Sequence, residues 1–145
     1  MSTYGVIEKL RREHVLDGFD CDSAQTYVLA RALTVLGYYS LAASAVTHDE
    51  ATERVRRGLA RHPIPVILLA RLAVDRPLQG KGIGSALLKD ALLRAASAAA
   101  TIGARALLVH AKDDDAKAFY EHLDFEPSPS DPYHLLLMMK DLLRS

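Results

Sequence analysis

The chain has 145 residues, half of them apolar and a quarter charged. That suits one domain with its own hydrophobic core and excludes a disordered polyelectrolyte. Eighteen basic and eighteen acidic side chains cancel, so no overall charge draws the chain to nucleic acid, and any RNA contact has to come from a local patch. The single cysteine, Cys21, excludes an intrachain disulfide, no apolar run reaches the length of a membrane span, and the start, Met1 to Glu13, is too charged for a signal peptide. A reducing, cytoplasmic setting is expected.

In chain order, Tyr4 to Leu10 reads as a short edge strand, and Asp17 to Asp22 as a loop rich in capping residues. Thr26 to Ala30 and Val35 to Val46 are apolar and β-branched, as in two strands of an antiparallel meander. Thr47-His48-Asp49-Glu50 is a capping box, which predicts a helix from about Asp49 to Arg61 that Pro63 and Pro65 end. Val66 to Asp75 is a nearly unbroken apolar run, expected to be a central strand buried on both faces. Ser85 to Ala100 is rich in Ala and Leu without a breaker, and Leu88, Ala91, Leu92 and Ala95 share one helical face. Gly103 is placed to close that helix. Ala106 to His110 reads as a further buried strand, Asp113 or Asp114 as the cap of a short helix through His122, Pro127, Pro129 and Pro132 as a loop, and His134 to Lys140 as the last strand. Strands alternating with helices in one chain, without repeat or linker, predict a single α/β (α+β) sheet domain over 1–145.

The stretch Gln79-Gly80-Lys81-Gly82-Ile83-Gly84-Ser85 lies between a buried strand and a strong helix. Glycines let the backbone turn tightly and approach a ligand closely. The start of the next helix presents free N–H groups and a partial positive charge, which together suit phosphate, and Lys81 adds a charge. A plain tight turn remains open. A dinucleotide fingerprint expects G-x-G-x-x-G after the first strand, and a nucleoside-triphosphate loop ends in G-K-[ST]; neither pattern is present. The spacing Gln79-x-x-Gly82-x-Gly84 resembles the pyrophosphate-binding signature of the GNAT N-acetyltransferases, Q/R-x-x-G-x-G/A, which in that family also follows a strand, as here after Leu72-Ala73-Val74-Asp75. The resemblance implies a GNAT fold, a mixed and mostly antiparallel sheet flanked by helices whose splayed central strands bind acetyl-CoA. It implies that Leu72, Ala73, Val74, Gln79, Gly80, Lys81, Gly82, Ile83, Gly84 and Ser85 hold the cofactor.

Asp113 to Phe125 resembles the second half of the family pattern, N-x-x-A-x-x-F-Y-x-x-x-G-F, with Asp113 where Asn is usual and Asp124 where Gly is usual. Asp tolerates the left-handed conformation better than most residues. By this resemblance Asp113 adds a cofactor contact and Tyr120 is the catalytic residue. The chemistry supports a phenol there: amine attack on a thioester expels a thiolate, and general-acid help of this kind is typically worth roughly 10²–10⁴-fold. For an isolated tyrosine, core packing beside Phe119 is the competing account. Asp114 and Asp115 have no ligand-spaced His or Cys beside them, so no metal site is expected. His110, ending a strand, could relay a proton; His48, His62 and His122 read as surface residues.

Gly18-Phe19-Asp20-Cys21, Gly37 to Ala42, Pro65 to Asp75 and Phe125 to Pro129 widen the likeness: the sequence is similar, from Val15 onward, to the TacT-type toxins of type II toxin–antitoxin pairs. This implies acetyl transfer to the α-amino group of aminoacyl-tRNA, which blocks translation, together with a ribbon–helix–helix antitoxin and a homodimer. Free α-amino groups titrate near 8 and an ester neighbour lowers that, so much of the acceptor is neutral without a strong base. Arg54, Arg56, Arg57 and Arg61 are candidates for the RNA surface, with Lys9, Arg11 and Arg12 as a second cluster; a solvated helix face paired with Glu50 and Glu53 is the alternative. The family carries a helical segment after Phe-Asp-Cys, so a deletion or a chain break is expected between Asp22 and Ser23. Rival functions are acetylation of a free small amine or a protein N-terminus, and a non-catalytic acyl-CoA-binding partner module.

Overall fold

The computed structural model describes residues 15–20, 25–31, 34–75 and 79–142. The expected strand at Tyr4 to Leu10, the basic cluster at Lys9 to Arg12 and the break between Asp22 and Ser23 lie outside them. The elements run β1 (Val15–Asp20), β2 (Gln25–Arg31), β3 (Thr34–Val46), α1 (Glu53–Arg56), β4 (Ile64–Val74), α2 (Ile83–Ile102), β5 (Ala106–His110), α3 (Asp114–His122), β6 (Glu126–Pro127), β7 (His134–Met138) and α4 (Met139–Leu142). The strands hydrogen-bond in the order β1-β2-β3-β4-β5-β7-β6. The chain forms two compact units, 1–42 with 69–94, and 43–68 with 95–145.

In the first unit, β1 and β2 pair antiparallel from Val15↔Ala30 to Asp20↔Gln25. The expected loop at Asp17 to Asp22 is therefore a strand as far as Asp20. Its Asp and Gly residues favour a turn, but a complete ladder with β2 satisfies the backbone and overrides that weak local preference. β2 pairs with β3 with a register shift at Leu29/Ala30. Gly37 is required for close approach: a Cβ there would lie 2.7 Å from the Leu87 side chain and 2.9 Å from the Ala73 carbonyl oxygen. On α2, Ala86, Leu87, Leu88 and Ala91 are buried, and so is Asp90, a carboxylate on the apolar face. Asp90 accepts a hydrogen bond from the Tyr39 hydroxyl and one from Arg94 Nε at 3.1 Å. Arg94 also lies 4.2 Å over the Tyr27 ring, which stacks on Tyr39. A buried carboxylate needs such partners. Burial first, then the hydrogen bond to Asp90, push the Tyr39 phenol far above its ordinary range.

In the second unit, Val46, Ala51, Val55, Ile64, Val66, Ala106, Leu108, Leu136 and Met138 form the core. The capping box is real, with Thr47 N–H donating to Glu50 Oε1 at 2.8 Å and Glu50 N–H to Thr47 Oγ1 at 3.2 Å, but it closes a turn and starts no helix. The predicted helix Asp49–Arg61 is instead one turn, Glu53–Arg56, capped by Thr52 through Val55 N–H. Gly58, at φ +77°, takes the chain out of helical geometry before Pro63 acts. Arg105 then caps that turn, donating to the carbonyls of Val55 at 3.0 Å and Arg57 at 3.2 Å.

β4 starts at Ile64 and contains Pro65, whose carbonyl still accepts Arg105 N–H at 2.8 Å. Its burial is confined to the first half, at Ile64, Val66, Ile67 and Leu69, while Pro65, Ala70 and Arg71 are exposed. α2 ends where expected, Gly103 N–H donating to Ala99 O at 2.8 Å with φ +73°. β7 is shorter than predicted, because the chain turns helical at Met139. The mixed sheet flanked by helices is the expected architecture.

Candidate functional site

The cofactor candidates belong to the first unit. Leu72, Ala73 and Val74 end β4, half-buried, and Gln79 to Gly82 form an exposed turn into α2. Gln79 Nε2 donates to the Val74 carbonyl at 3.1 Å, so its side chain ties the loop to the strand end. Gly80 and Gly82 stand at φ +82° and +81°, a region L side chains avoid at a cost of roughly 1–2 kcal/mol. A Cβ on either would meet nothing within 4 Å. Backbone is therefore presented to open space, the arrangement a close-lying anion needs. Gly84 differs: a Cβ there would make ordinary contact with Val74 at 3.6 Å, consistent with a position that accepts Gly or Ala. Ala86 N–H donates to Gly82 O at 3.0 Å, which fixes the helix start and leaves the N–H groups of Ile83, Gly84 and Ser85 in the first turn, without intrahelical partners. Lys81 is exposed beside them.

Tyr120 belongs to the second unit. Asp113 caps α3, its Oδ1 accepting Ala116 N–H at 2.8 Å, so one oxygen of this cofactor candidate is engaged within the protein. Asp124, at φ +72°, takes the left-handed position where the family has Gly, and the chain folds back so that Phe125 N–H donates to Tyr120 O at 3.2 Å. The Tyr120 ring is 8% exposed and packs edge-on against Phe119 and Phe125 at 5.3 and 5.4 Å. Among the described residues its hydroxyl has no hydrogen-bond partner, and none of their fully buried side-chain polar atoms lacks one. The hydroxyl is therefore not fully sealed from solvent. Burial raises its pKa, so the phenol is protonated at neutral pH, as an ordinary tyrosine is, and is a somewhat weaker acid.

His110 and His134 stack with centroids 4.0 Å apart, facing each other across the β5–β7 ladder. With Ser44, Glu50 and Ser128 they line a cavity of about 180 Å³. Sequence reasoning singled out His110 alone; the residues that join it are up to 90 positions apart in the chain and share no motif.

The arginine candidates separate. Arg54 is committed to ion pairs with Glu126 at 3.2 Å and Asp141 at 2.9 Å. Arg56 donates to the His48 carbonyl at 3.5 Å, and Arg57 pairs loosely with Glu53 at 3.8 Å, both side chains exposed. Arg61 is exposed. Among the described residues no His, Cys, Asp and Glu cluster has the grouping of a metal site, and no helix there is long and apolar enough to cross a membrane.

The order strand, glycine turn, helix is the one expected of an acyl-CoA-dependent acyltransferase. Residues 22–127 match the acetyltransferase (GNAT) domain family, and the chain belongs to it. It is 54% identical over 128 residues to a tRNA-acetylating toxin of Mycobacterium tuberculosis, spanning 88% of this chain and 74% of that protein. Among solved structures it is similar to AtaT complexed with acetyl-methionyl-tRNAfMet (TM-score 0.75, 31% identity, covering 84% of this chain and 76% of that one). It is also similar to a mutant AtaT toxin bound to acetyl-CoA and the C-terminus of the antitoxin AtaR (TM-score 0.67, 32% identity, 82% and 69% covered).

Proposed function

We propose that the chain is the toxin of a type II toxin–antitoxin pair, an N-acetyltransferase that moves acetyl from acetyl-CoA to the α-amino group of aminoacyl-tRNA and so blocks peptide-bond formation. The observation that carries this is the reach of the likeness to the mycobacterial toxin, 88% of the chain. A match confined to a shared cofactor motif would cover far less.

In this reading the Gln79–Ser85 turn and the start of α2 take the pyrophosphate, and the end of β4 at Leu72 to Val74 takes the pantetheine arm. The acceptor nitrogen attacks the thioester carbonyl, the C–N bond forms, the C–S bond breaks, and the thiolate takes a proton from Tyr120. A protonated hydroxyl with no hydrogen-bond partner among the described residues supports that role. Arg56, Arg57 and Arg61 are the cations for the tRNA backbone, Arg54 being spent on Glu126 and Asp141. A ribbon–helix–helix antitoxin, a homodimer and a cytoplasmic location complete the proposal.

The test is transfer of radiolabelled acetyl to bulk aminoacyl-tRNA, beside deacylated tRNA, free amino acids and peptides. Label that appears in aminoacyl-tRNA and is released by ester hydrolysis as N-acetyl amino acid is the expected result. Transfer to the free amines or peptides alone moves the protein to the rival acceptor class, and no transfer at all leaves a binding module.

A further inference from the structure

We propose that the cavity of the second unit receives the amine end of the acceptor, with His110 as the base that takes the amine's proton and Glu50 as the carboxylate that faces its positive charge. This rests on the acetyl-transfer reading above and supplies the acceptor-side groups that it leaves open.

The cavity has an apolar floor and a polar rim. His110 pairs with His134, and Leu108 with Leu136, in the antiparallel β5–β7 register. Residues two apart on a strand share a face, so the two imidazoles stand beside the two leucines. Glu50 joins the rim from the turn after β3, and Ser128 fastens it, its hydroxyl donating to the Glu50 carbonyl at 2.5 Å. A volume of about 180 Å³ is comparable to the ~150 Å³ of an apolar protein cavity that takes up benzene, enough for an amine and a short aliphatic body.

The charges are distributed to suit an ammonium. Hydrogen bonds from Thr47, the backbone N–H first, hold the Glu50 carboxyl below the usual range, and His134 adds to this, so Glu50 is anionic at neutral pH. Asp131 Oδ2 lies 3.4 Å from His134 Nε2 and gives that imidazole its own partner. His110 ends β5 exposed; partial desolvation first, and the neighbouring His134 second, hold it below its ordinary range, with Asp131 opposing. His110 is thus the imidazole with a free lone pair. The titratable groups around it are His134 at the start of β7, Asp131 in the loop before it and Glu50 after β3.

The steps balance. The bound ammonium gives one proton to His110, and the freed nitrogen lone pair forms the C–N bond. The C–S bond breaks, and the thiolate takes the Tyr120 proton. The second nitrogen-bound proton, lost as the amide forms, restores the phenol through solvent, and His110 releases its proton to water. Net, one acetyl moves, coenzyme A leaves as thiol and one proton is released.

The test is single-turnover acetylation of bulk aminoacyl-tRNA at saturating acetyl-CoA from about pH 5.5 to 9, for the wild type, His110→Gln and Ser44→Leu. The wild-type rate should hold to below about pH 6.5, and His110→Gln should move the acid limb up to the amine's own range near 7–8, a loss of about tenfold or more near pH 6. Ser44→Leu, which narrows the cavity, should raise KM for aminoacyl-tRNA while acetyl-CoA affinity by calorimetry and the melting temperature stay put. A His110→Gln profile that overlays the wild type, or an unchanged KM in Ser44→Leu, overturns the assignment. A wild type that acetylates only free amines refutes the tRNA reading alone, and the same His110 profile is then read on that amine.

Discussion

The glycine turn of the first unit and the histidine cavity of the second are built on opposite principles. The turn offers backbone: Gly80 and Gly82 hold left-handed φ with nothing within 4 Å of where a Cβ would sit, and the Gln79 side chain bonds back to Val74. The cavity offers side chains brought by β3, β5, β7 and two loops. The turn proposed for the pyrophosphate is seven consecutive residues, Gln79 to Ser85. The groups proposed for the acceptor amine, His110 and Glu50, come from separate segments, an arrangement that no short motif can supply.

The largest effect is expected at Tyr120, a side chain of the second unit outside the lining of the cavity. Tyr120→Phe keeps the ring against Phe119 and Phe125 but removes the proton, so single-turnover acetylation of aminoacyl-tRNA should slow by about 10²-fold or more with stability and acetyl-CoA affinity near normal. Equal rates would return Tyr120 to packing and leave the thiolate's proton to water.

The backbone half breaks differently. Gly82→Glu puts a side chain at φ +81° and a negative charge where the pyrophosphate is expected. Calorimetry should show acetyl-CoA binding abolished in a protein that still unfolds cooperatively; retained affinity would remove the turn from the site. Gly37→Ala separates fold from function in the same unit. Its methyl would press on Leu87 and on the Ala73 carbonyl, an overpacking that should cost about 1–3 kcal/mol by denaturant titration. An unchanged midpoint would mean that β3 and α2 yield there. The smallest effect is ionic. Arg57→Gln with Arg61→Gln should lower the salt slope of tRNA affinity by about 0.9 for each phosphate that these two cations neutralise, whereas Arg54→Gln should reduce stability rather than that slope.

Legibility followed the same division. Helix α3, its Asp113 cap and its left-handed Asp124 were readable because each is local: a cap and a positive φ depend on a few neighbouring residues. The helix expected at Asp49 to Arg61 failed because two caps compete there, Thr47 closing a turn with Glu50 while Thr52 starts the single helical turn of that stretch. Asp90 and Arg94 stand at helical spacing, a visible signal of an ion pair, but nothing local announced that Tyr39 would bury the carboxylate.

The sequence by itself determined the family, the strand–glycine turn–helix order, and the segment that carries Tyr120, because those features are written in contiguous residues whose backbone preferences act over a few bonds. The tertiary structure decided that Asp17 to Asp20 pair as a strand, that Arg54 is an internal tie, and that His110 meets His134 and Glu50 around one cavity. Each depends on residues distant in the chain, and only the register of paired strands fixes which of those share a face.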